Sequence, residues 1–569
     1  MKSFNKVLIL SALLGAGTVI SVLFTNCSGM GFDIVEQSCS TDGGDPFIPY
    51  AWHLGNCGQK VFSSTAAKAG IDLNLRQTWS QGIYGSGILV RISDDGLQDT
   101  HEDLKDNFNY SNLSRDYTTS SPWVVASATV YPGDIHGTSV AGVIGAVGWN
   151  GIGSRGVAPK VSLTVANFLN SNKAYGVAEY YDQASGTFDI INQSWGATQN
   201  ALVEADSTYE SVLKATVTTN RDGKGAVIVK AAGNDFLVKC HNSDATCIGN
   251  SNFDGDNTNP YTILVAALNA MGDAASYSSA GANIWISGFG GENGSSSPGI
   301  VTTDRLGCSA GYAIITAKST LSFEKGGQGN SSCNYTVTFD GTSAATPTVT
   351  GAVALLLDSN PSLTWRDVKY ILAKTAVPMD YVTTGGIDHP LSVSLPSGYK
   401  WEQPWVVNKA GFAFHNWYGF GKIDVDGAVA MAKNYSSSLG TYTETNWENS
   451  SGAINVSIPD NSASGGVSSL TVASGSNVKI EAVRLKLSVT HSDISELAVE
   501  LTSPSGTKSI LVNMRNSLTG IANFANDVFL SNAFYQENSQ GTWTLKVIDG
   551  KSGNSGTITG WSLDFTGGR

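Results

Sequence analysis

Hydrophobic positions along the chain follow two regimes. From Asp45 to about Val429, short β-branched runs alternate with helically spaced apolar ones. Ile88-Leu89-Val90-Arg91-Ile92, Val161-Ser162-Leu163-Thr164-Val165, Asp189-Ile190-Ile191-Asn192-Gln193 and Ala226-Val227-Ile228-Val229 read as strands. Helical spacing appears after His136, over about Val203 to Val217, and at Val349, Val353, Leu356 and Leu357. Thr364, with Asp367 three residues on and Trp365, Val368 and Ile371 on one face, reads as a helix start. This alternation predicts an α/β fold of three layers, a parallel sheet covered by helices on both faces. Ligands then sit beyond the carboxyl ends of the strands.

After Lys433 the helical spacing stops, and Asn434-Tyr435-Ser436-Ser437-Ser438 reads as a linker. Beyond it come short alternating runs divided by Gly, Asn and Ser: Ile454-Asn455-Val456-Ser457-Ile458, Val483-Arg484-Leu485-Lys486-Leu487, Leu497-Ala498-Val499-Glu500-Leu501 and Thr542-Trp543-Thr544-Leu545-Lys546-Val547. Their spacing predicts an antiparallel, all-β sandwich. The expected organisation is a signal peptide over 1–26, an N-terminal linker over 27–44, an α/β domain over 45–433, a linker over 434–443 and the sandwich over 444–569.

Charge narrows the picture by exclusion. The balance of 34 Lys+Arg against 47 Asp+Glu gives −13, with the acids scattered, which excludes nucleic acid as a partner. Lys2 and Lys6 followed by the apolar stretch Val7 to Phe24 form a secretory signal. Leu23-Phe24-Thr25-Asn26-Cys27 resembles the end of a bacterial lipoprotein signal, with Asn26 where a smaller residue is usual. That reading gives an exported protein anchored to a cell-envelope membrane through a lipid on Cys27; ordinary cleavage and secretion is the alternative. No later segment is apolar enough to span a bilayer. The other cysteines are six, an even number suited to an oxidising compartment. Pairing neighbours gives Cys39–Cys57, Cys240–Cys247 and Cys308–Cys333, one of fifteen connectivities.

Candidate chemistry falls at the strand ends. Asp94 follows the Ile88 strand, Ser194 the Ile190 strand, and Asn234 the Val227 strand in Ala231-Ala232-Gly233-Asn234. His136 opens a helix in His136-Gly137-Thr138-Ser139-Val140-Ala141-Gly142. Ser343 stands in the small-residue turn Gly341-Thr342-Ser343-Ala344-Ala345-Thr346-Pro347 at the start of a helix, where orphan N–H groups and the positive dipole end stabilise negative charge. A carboxylate, a base and a nucleophile thus converge in the order Asp, His, Ser, which excludes the chymotrypsin and α/β-hydrolase orders and matches the subtilisin one.

Ser93-Asp94-Asp95-Gly96, His136-Gly137-Thr138, Ala232-Gly233-Asn234 and the Gly341–Pro347 turn resemble the signatures of subtilisin-like serine proteases, and Asp94-Asp95-Gly96 with Ser194-Trp195-Gly196 resembles the kexin and furin branch. The resemblance implies a serine endopeptidase acting on protein or peptide substrates. Ser343 is its nucleophile, His136 the proton carrier, Asp94 the group orienting the imidazole, and Asn234 with the Ser343 N–H the oxyanion site. Ser194, Trp195 and Gly196 would pair with extended substrate main chain. Asp254 and Asp95 match acids that contact basic substrate residues, yet the chain continues Ala197-Thr198-Gln199-Asn200 where relatives that cut after paired basic residues carry Pro and acids. Cleavage after basic residues is therefore permitted by the resemblance and not required by it.

The resemblance further implies a structural calcium site of carboxylates from Asp45 and Asp103, the Asn150 amide, and the carbonyls of Val147, Ile152 and Ser154, a hard oxygen-only set suited to Ca2+. A second calcium site is expected to be lost, because Gln199, Cys240 and Ser279 stand where its acids belong. The Gly- and Ser-rich stretch between Gly288 and Asp340 reads as a surface insertion stapled by Cys308 and Cys333. Ser492-Asp493-Ile494, Leu501 to Thr507, Asn526-Asp527, Gly541 to Leu545 and Gly560-Trp561-Ser562-Leu563 resemble the P domain of kexin-like proteases, a jelly-roll-like sandwich that braces the catalytic domain. Only a short segment separates Cys27 from Asp45, so folding is expected to rely on calcium and disulfides or on a helper in trans. The expected molecule is a monomer. The competing reading is an inactive protein of the same fold used for surface binding, which would need none of Asp94, His136, Asn234 and Ser343.

Overall fold

The computed structural model describes residues 44–316, 320–379, 388–449 and 454–569. The segment expected to be a signal peptide, Cys27 and Cys39 lie outside them. The body of the molecule is an eight-stranded sheet built from β1 (Leu89–Ser93), β2 (Ser114–Arg115), β3 (Val124–Val125), β4 (Ser162–Ala166), β5 (Ile190–Gln193), β6 (Val227–Ala231), β9 (Thr262–Leu268) and β10 (Ile286–Phe289). Between β6 and β9 the hairpin β7 (Val238–Lys239) and β8 (Thr246–Cys247) stands apart, closed by the Cys240–Cys247 disulfide. The order is β10-β9-β6-β5-β1-β4-β2-β3, and every pairing except β2 with β3 is parallel. β5, β6 and β9 are buried throughout. Near-continuous apolar runs such as Thr262-Ile263-Leu264-Val265-Ala266 therefore replace alternation there, as strands covered on both faces require.

Local chemistry sets the helices. Asp206 caps Ser207–Thr219 by accepting the Thr208 and Tyr209 N–H groups, and Thr364 with Asp367 forms the predicted capping box of Trp365–Thr375. The long helix Thr342–Ser359 is buried along nearly its whole length and packs on β5, β6, β9 and β10 and on the helix His136–Gly145. Because both helices begin at the carboxyl edge of the sheet, their first residues meet the loops after β1, β5 and β6.

The stretch after β10 is not a bare surface loop. Ile300–Thr303 and Tyr335–Phe339 pair antiparallel, and Cys308–Cys333 staples the excursion between them. Thr302 and Thr303 hydroxyls donate to the Ser139 and Thr138 carbonyls at 2.7 Å each, so the hairpin is bonded to the His136 helix. The alternation in Tyr335-Thr336-Val337-Thr338-Phe339 carries the strand signal, and the surrounding Gly and Ser mask it. Cys57 is disulfide-bonded, and the expected Cys39–Cys57 pairing involves Cys39, which lies outside the described residues.

The C-terminal part is the expected antiparallel sandwich. One sheet runs Tyr442–Glu444, Gly556–Gly568, Lys479–Thr490, Phe524–Ser531, with Glu448–Asn449 and Val456–Ile458 also on the Gly556 strand. The other runs Gly466–Val472, Gly541–Asp549, Leu497–Thr502, Lys508–Val512. Leu485, Leu487, Phe529, Trp543, Leu545 and Phe565 fill the space between. Phe253 and Ala282 of the α/β body enter this core, and Ala533 and Tyr535 enter the other, so the two cores interlock. Arg366 and Glu481, both buried, form an ion pair across the junction, and the Arg366 guanidinium also donates to the Leu439 and Gly440 carbonyls.

Candidate active site

Asp94 is the first residue beyond β1 and has no exposed surface. Its Oδ1 lies 2.8 Å from His136 Nδ1, which fixes the imidazole with Nε2 turned outward. The ring is 26% exposed and stacks edge-on against Phe339 of the inserted hairpin at 5.5 Å. Burial pushes the imidazole down, but the charges of Asp94 and then Asp95 more than offset this and raise it to about 9. Asp95 caps the histidine's helix from outside it: Oδ2 accepts the Ile135 and His136 N–H groups at 2.9 Å each, and Oδ1 accepts Gly137 N–H at 2.7 Å. Burial first, and the neighbouring Asp94 second, hold the Asp95 carboxyl well above the usual range. Gly137 permits this approach, since a Cβ there would lie 2.0 Å from the Gly96 carbonyl.

Ser343 is the second residue of its helix. Gly341 precedes the helix at φ +99°, a conformation that favours glycine, and its N–H donates to the Tyr277 hydroxyl at 2.9 Å. Ser343 Oγ donates to the Ser194 carbonyl at 3.0 Å and Ser194 Oγ donates back to the Ser343 carbonyl at 3.1 Å, which locks the end of β5 to the start of the helix. Asn234 accepts the Thr342 N–H and hydroxyl through Oδ1 at 2.8 and 2.9 Å. That leaves Nδ2 as the donor side of the amide, 3.2 Å from where a Gly341 Cβ would stand, a point itself 3.5 Å from Ser343 N. The geometry offers a base held by a carboxylate, a hydroxyl at a helix N-terminus and an amide donor beside it, the parts of an acyl-transfer centre.

A model of the Subtilase family matches residues 85–421, and one of the proprotein convertase P-domain matches 480–565. The chain belongs to the subtilase family. It is 35% identical to the Aeromonas extracellular serine protease of Aeromonas sobria over 95% of this chain and 90% of that protein. To human neuroendocrine convertase 2 it is 26% identical over 92% of this chain and 74% of that one. A crystal structure of the Aeromonas sobria serine protease with its chaperone superimposes with a TM-score of 0.83 at 32% identity, covering 92% of this chain and 95% of that one. This subtilase is therefore a serine protease, with a subtilisin-like α/β domain followed by a P domain.

Of the residues expected to face substrate, Asp254 lies directly behind Gly196, whereas Asp95 stands apart at the start of the His136 helix. Asp254 Oδ2 accepts the Ala197 N–H at 3.0 Å and lies 3.6 Å from Lys230 Nζ, a residue the sequence reading passed over. The three positions of the expected lost calcium site are occupied by internal bonds. Gln199 Nε2 donates to the Ala232 carbonyl at 2.7 Å, Ser279 Oγ accepts the Asp235 N–H at 3.0 Å, and Cys240 is in a disulfide. The P domain braces this wall: Asn252 exchanges hydrogen bonds with the Leu530 backbone, and His241 N–H donates to the Ser517 carbonyl at 2.8 Å.

The residues expected to hold calcium also come together. Asp45 Oδ1 accepts Asn150 N–H at 2.9 Å, Asp103 Oδ1 accepts the Asn150 amide at 2.8 Å, and Asp103 Oδ2 accepts Ser154 N–H at 3.1 Å, while Val147 N–H donates to the Asp103 carbonyl at 2.9 Å and Ile152 N–H to Asn150 Oδ1 at 2.9 Å. Arg155 pairs with Asp45, and the buried Asp103 carboxylate beside them has no ion pair among the described residues. Burial raises the Asp103 carboxyl to about 7. An oxygen-rich cluster with surplus negative charge fits Ca2+ by donor chemistry.

Proposed function

We propose that this protein is an exported serine endopeptidase in which Asp94, His136 and Ser343 act as one catalytic unit, and Asn234 with the Ser343 N–H holds the oxyanion. The observation that carries the reading is the 2.8 Å Asp94–His136 bond, placed at the sheet edge where Ser343 begins its helix. In the resting state the Ser343 hydroxyl keeps its proton and donates it in a hydrogen bond to the Ser194 carbonyl. Rotation about the Cα–Cβ bond hands it to His136 Nε2 as Oγ attacks the substrate carbonyl. The carbonyl oxygen then becomes an oxyanion between Asn234 Nδ2 and the Ser343 N–H, donors already fixed by the fold. His136, charged by the transferred proton and stabilised by Asp94, returns it to the leaving amine, and water repeats the sequence on the acyl-enzyme. Ser194, Trp195 and Gly196 align the substrate main chain as an added strand.

Asp45, Asp103 and Asn150, with the carbonyls of Val147, Ile152 and Ser154, would hold a structural Ca2+ that ties the Asp45 arm to the loop after the His136 helix. The Aeromonas sobria enzyme, structurally similar and solved with a chaperone, supports a folding helper for this chain as well. Asp95 and Asp254, the acids that a basic preference would use, are engaged by the protein's own N–H groups and Lys230, so that preference forms no part of the proposal. Labelling of the purified protein by a fluorophosphonate probe tests the function. Wild type is expected to label and Ser343→Ala to remain unlabelled; equal labelling overturns the reading.

A further inference from the structure

Lys230 lies in β6, four residues before Asn234, and like Asp254 it is 1% exposed. Its Nζ donates to the Trp195 carbonyl at 2.8 Å, stands 3.6 Å from Asp254 Oδ2 and sits 4.7 Å from the centre of the Trp195 ring. The ammonium and the carboxylate back directly onto Gly196, where an added Cβ would meet Asp254 Oδ2 at 3.0 Å and Lys230 Nζ at 3.2 Å. The pair therefore closes the floor behind the Ser194-Trp195-Gly196 edge, one residue chain away from the carbonyl that holds Ser343 Oγ. Asp256, which accepts the Tyr180 hydroxyl at 2.5 Å, is the other acid near this ammonium. Gln199, three residues beyond Gly196, is fully buried and its Oε1 has no hydrogen-bond partner. That oxygen is a dipole rather than a charge, so it replaces no acid.

A pocket selects a cation by offering a carboxylate whose charge is otherwise uncompensated. Here the compensating cation belongs to the protein. A substrate Lys or Arg entering this site would have to desolvate its charge beside a resident ammonium and compete for a carboxylate already paired, at a cost no neutral side chain meets.

Resting on the endopeptidase reading above, we infer that Lys230 is a specificity-determining residue: by neutralising Asp254 behind Gly196, it directs cleavage to peptide bonds that follow an uncharged side chain rather than Lys or Arg. The experiment compares kcat/KM for peptide coumarylamides that differ only in Leu, Gln, Lys or Arg before the scissile bond. Wild type is expected to favour Leu or Gln over Arg by at least tenfold. Lys230→Met, which empties the ammonium and frees Asp254, is expected to raise the Arg-to-Leu ratio at least tenfold, while Lys230→Arg keeps the wild-type order. Wild type that labels with the fluorophosphonate probe yet prefers Arg tenfold overturns the inference and leaves the peptidase reading standing. Protein that neither labels nor cleaves any of the four overturns both. A folded Lys230→Met whose Arg-to-Leu ratio stays at the wild-type value overturns the assignment to Lys230, and where that variant fails to fold Lys230→Gln is read in the same way.

Discussion

Asp95→Asn separates two roles carried by one carboxylate. In the native site its two oxygens accept three N–H groups at the start of the His136 helix. Asparagine retains one acceptor oxygen, which can keep the Ile135 and His136 bonds, and turns an NH2 toward the Gly137 N–H. One buried donor left unpaired costs about 1–3 kcal/mol, and the loss of negative charge at a helix N-terminus adds about 0.3–1 kcal/mol. Against this, the native carboxylate is itself held in an unfavourable place by burial and by Asp94, and removing its charge returns part of the loss. The net expectation is a destabilisation of about 1–2 kcal/mol. Its pH dependence has a definite sign. The folded Asp95 carboxyl is raised from its ordinary 3.8 to about 7, so native stability is lost as pH rises between those values, a loss the asparagine does not suffer. The His136 imidazole is raised to about 9 from 6.5, so its contribution is full below 6.5 and lost through about 9, and Asp95 supplies part of it. Both make the variant's penalty larger at pH 5 than at pH 9. The same substitution moves the acid limb of kcat/KM toward lower pH, because one of the charges holding the proton on His136 is gone. Thermal melts at the two pH values and a pH–rate profile from 5 to 10 measure both effects. A penalty that grows with pH, or an acid limb that stays in place, refutes the reasoning.

The proposed calcium site predicts that a chelator lowers the melting temperature and that Ca2+ restores it while Zn2+ does not; saturation at a hundredfold above Kd is worth about 2.7 kcal/mol, and an unchanged melt after chelation contradicts the site. At the domain junction, Glu481→Gln leaves the buried Arg366 guanidinium without its counter-charge, so stability is expected to fall by about 3–5 kcal/mol, seen as a lower denaturation midpoint; a change under 1 kcal/mol assigns the pair no structural weight.

The placement of Asp94, Ser194 and Asn234 beyond strand ends was legible because apolar runs mark the strands, and that of Ser343 at a helix start because small residues precede a helical apolar run. The sequence also marked Thr364 as a cap, since both members of that capping box lie within four residues. Contacts made across the chain were not legible. Asp95 caps a helix that starts 41 positions later, with the bond running to the His136 N–H. Lys230 sits in the near-continuous apolar run Val-Ile-Val-Lys-Ala, which says nothing of its partners, because Trp195 and Asp254 come from two other loops. The interlock of the two cores through Phe253, Ala282 and Tyr535 leaves no periodic trace, because each is an apolar residue that its own domain could equally have buried.

The central claim, that Asp94, His136 and Ser343 work as one unit, is tested most directly by comparing kcat for Ser343→Ala, His136→Ala and the double variant on one peptide substrate. Residues acting as a unit are non-additive, so each single variant is expected to lose on the order of 10⁶ in kcat and the double variant no more than either. Losses that multiply in the double variant, or a single variant that keeps more than about a hundredth of wild-type kcat, would contradict the account.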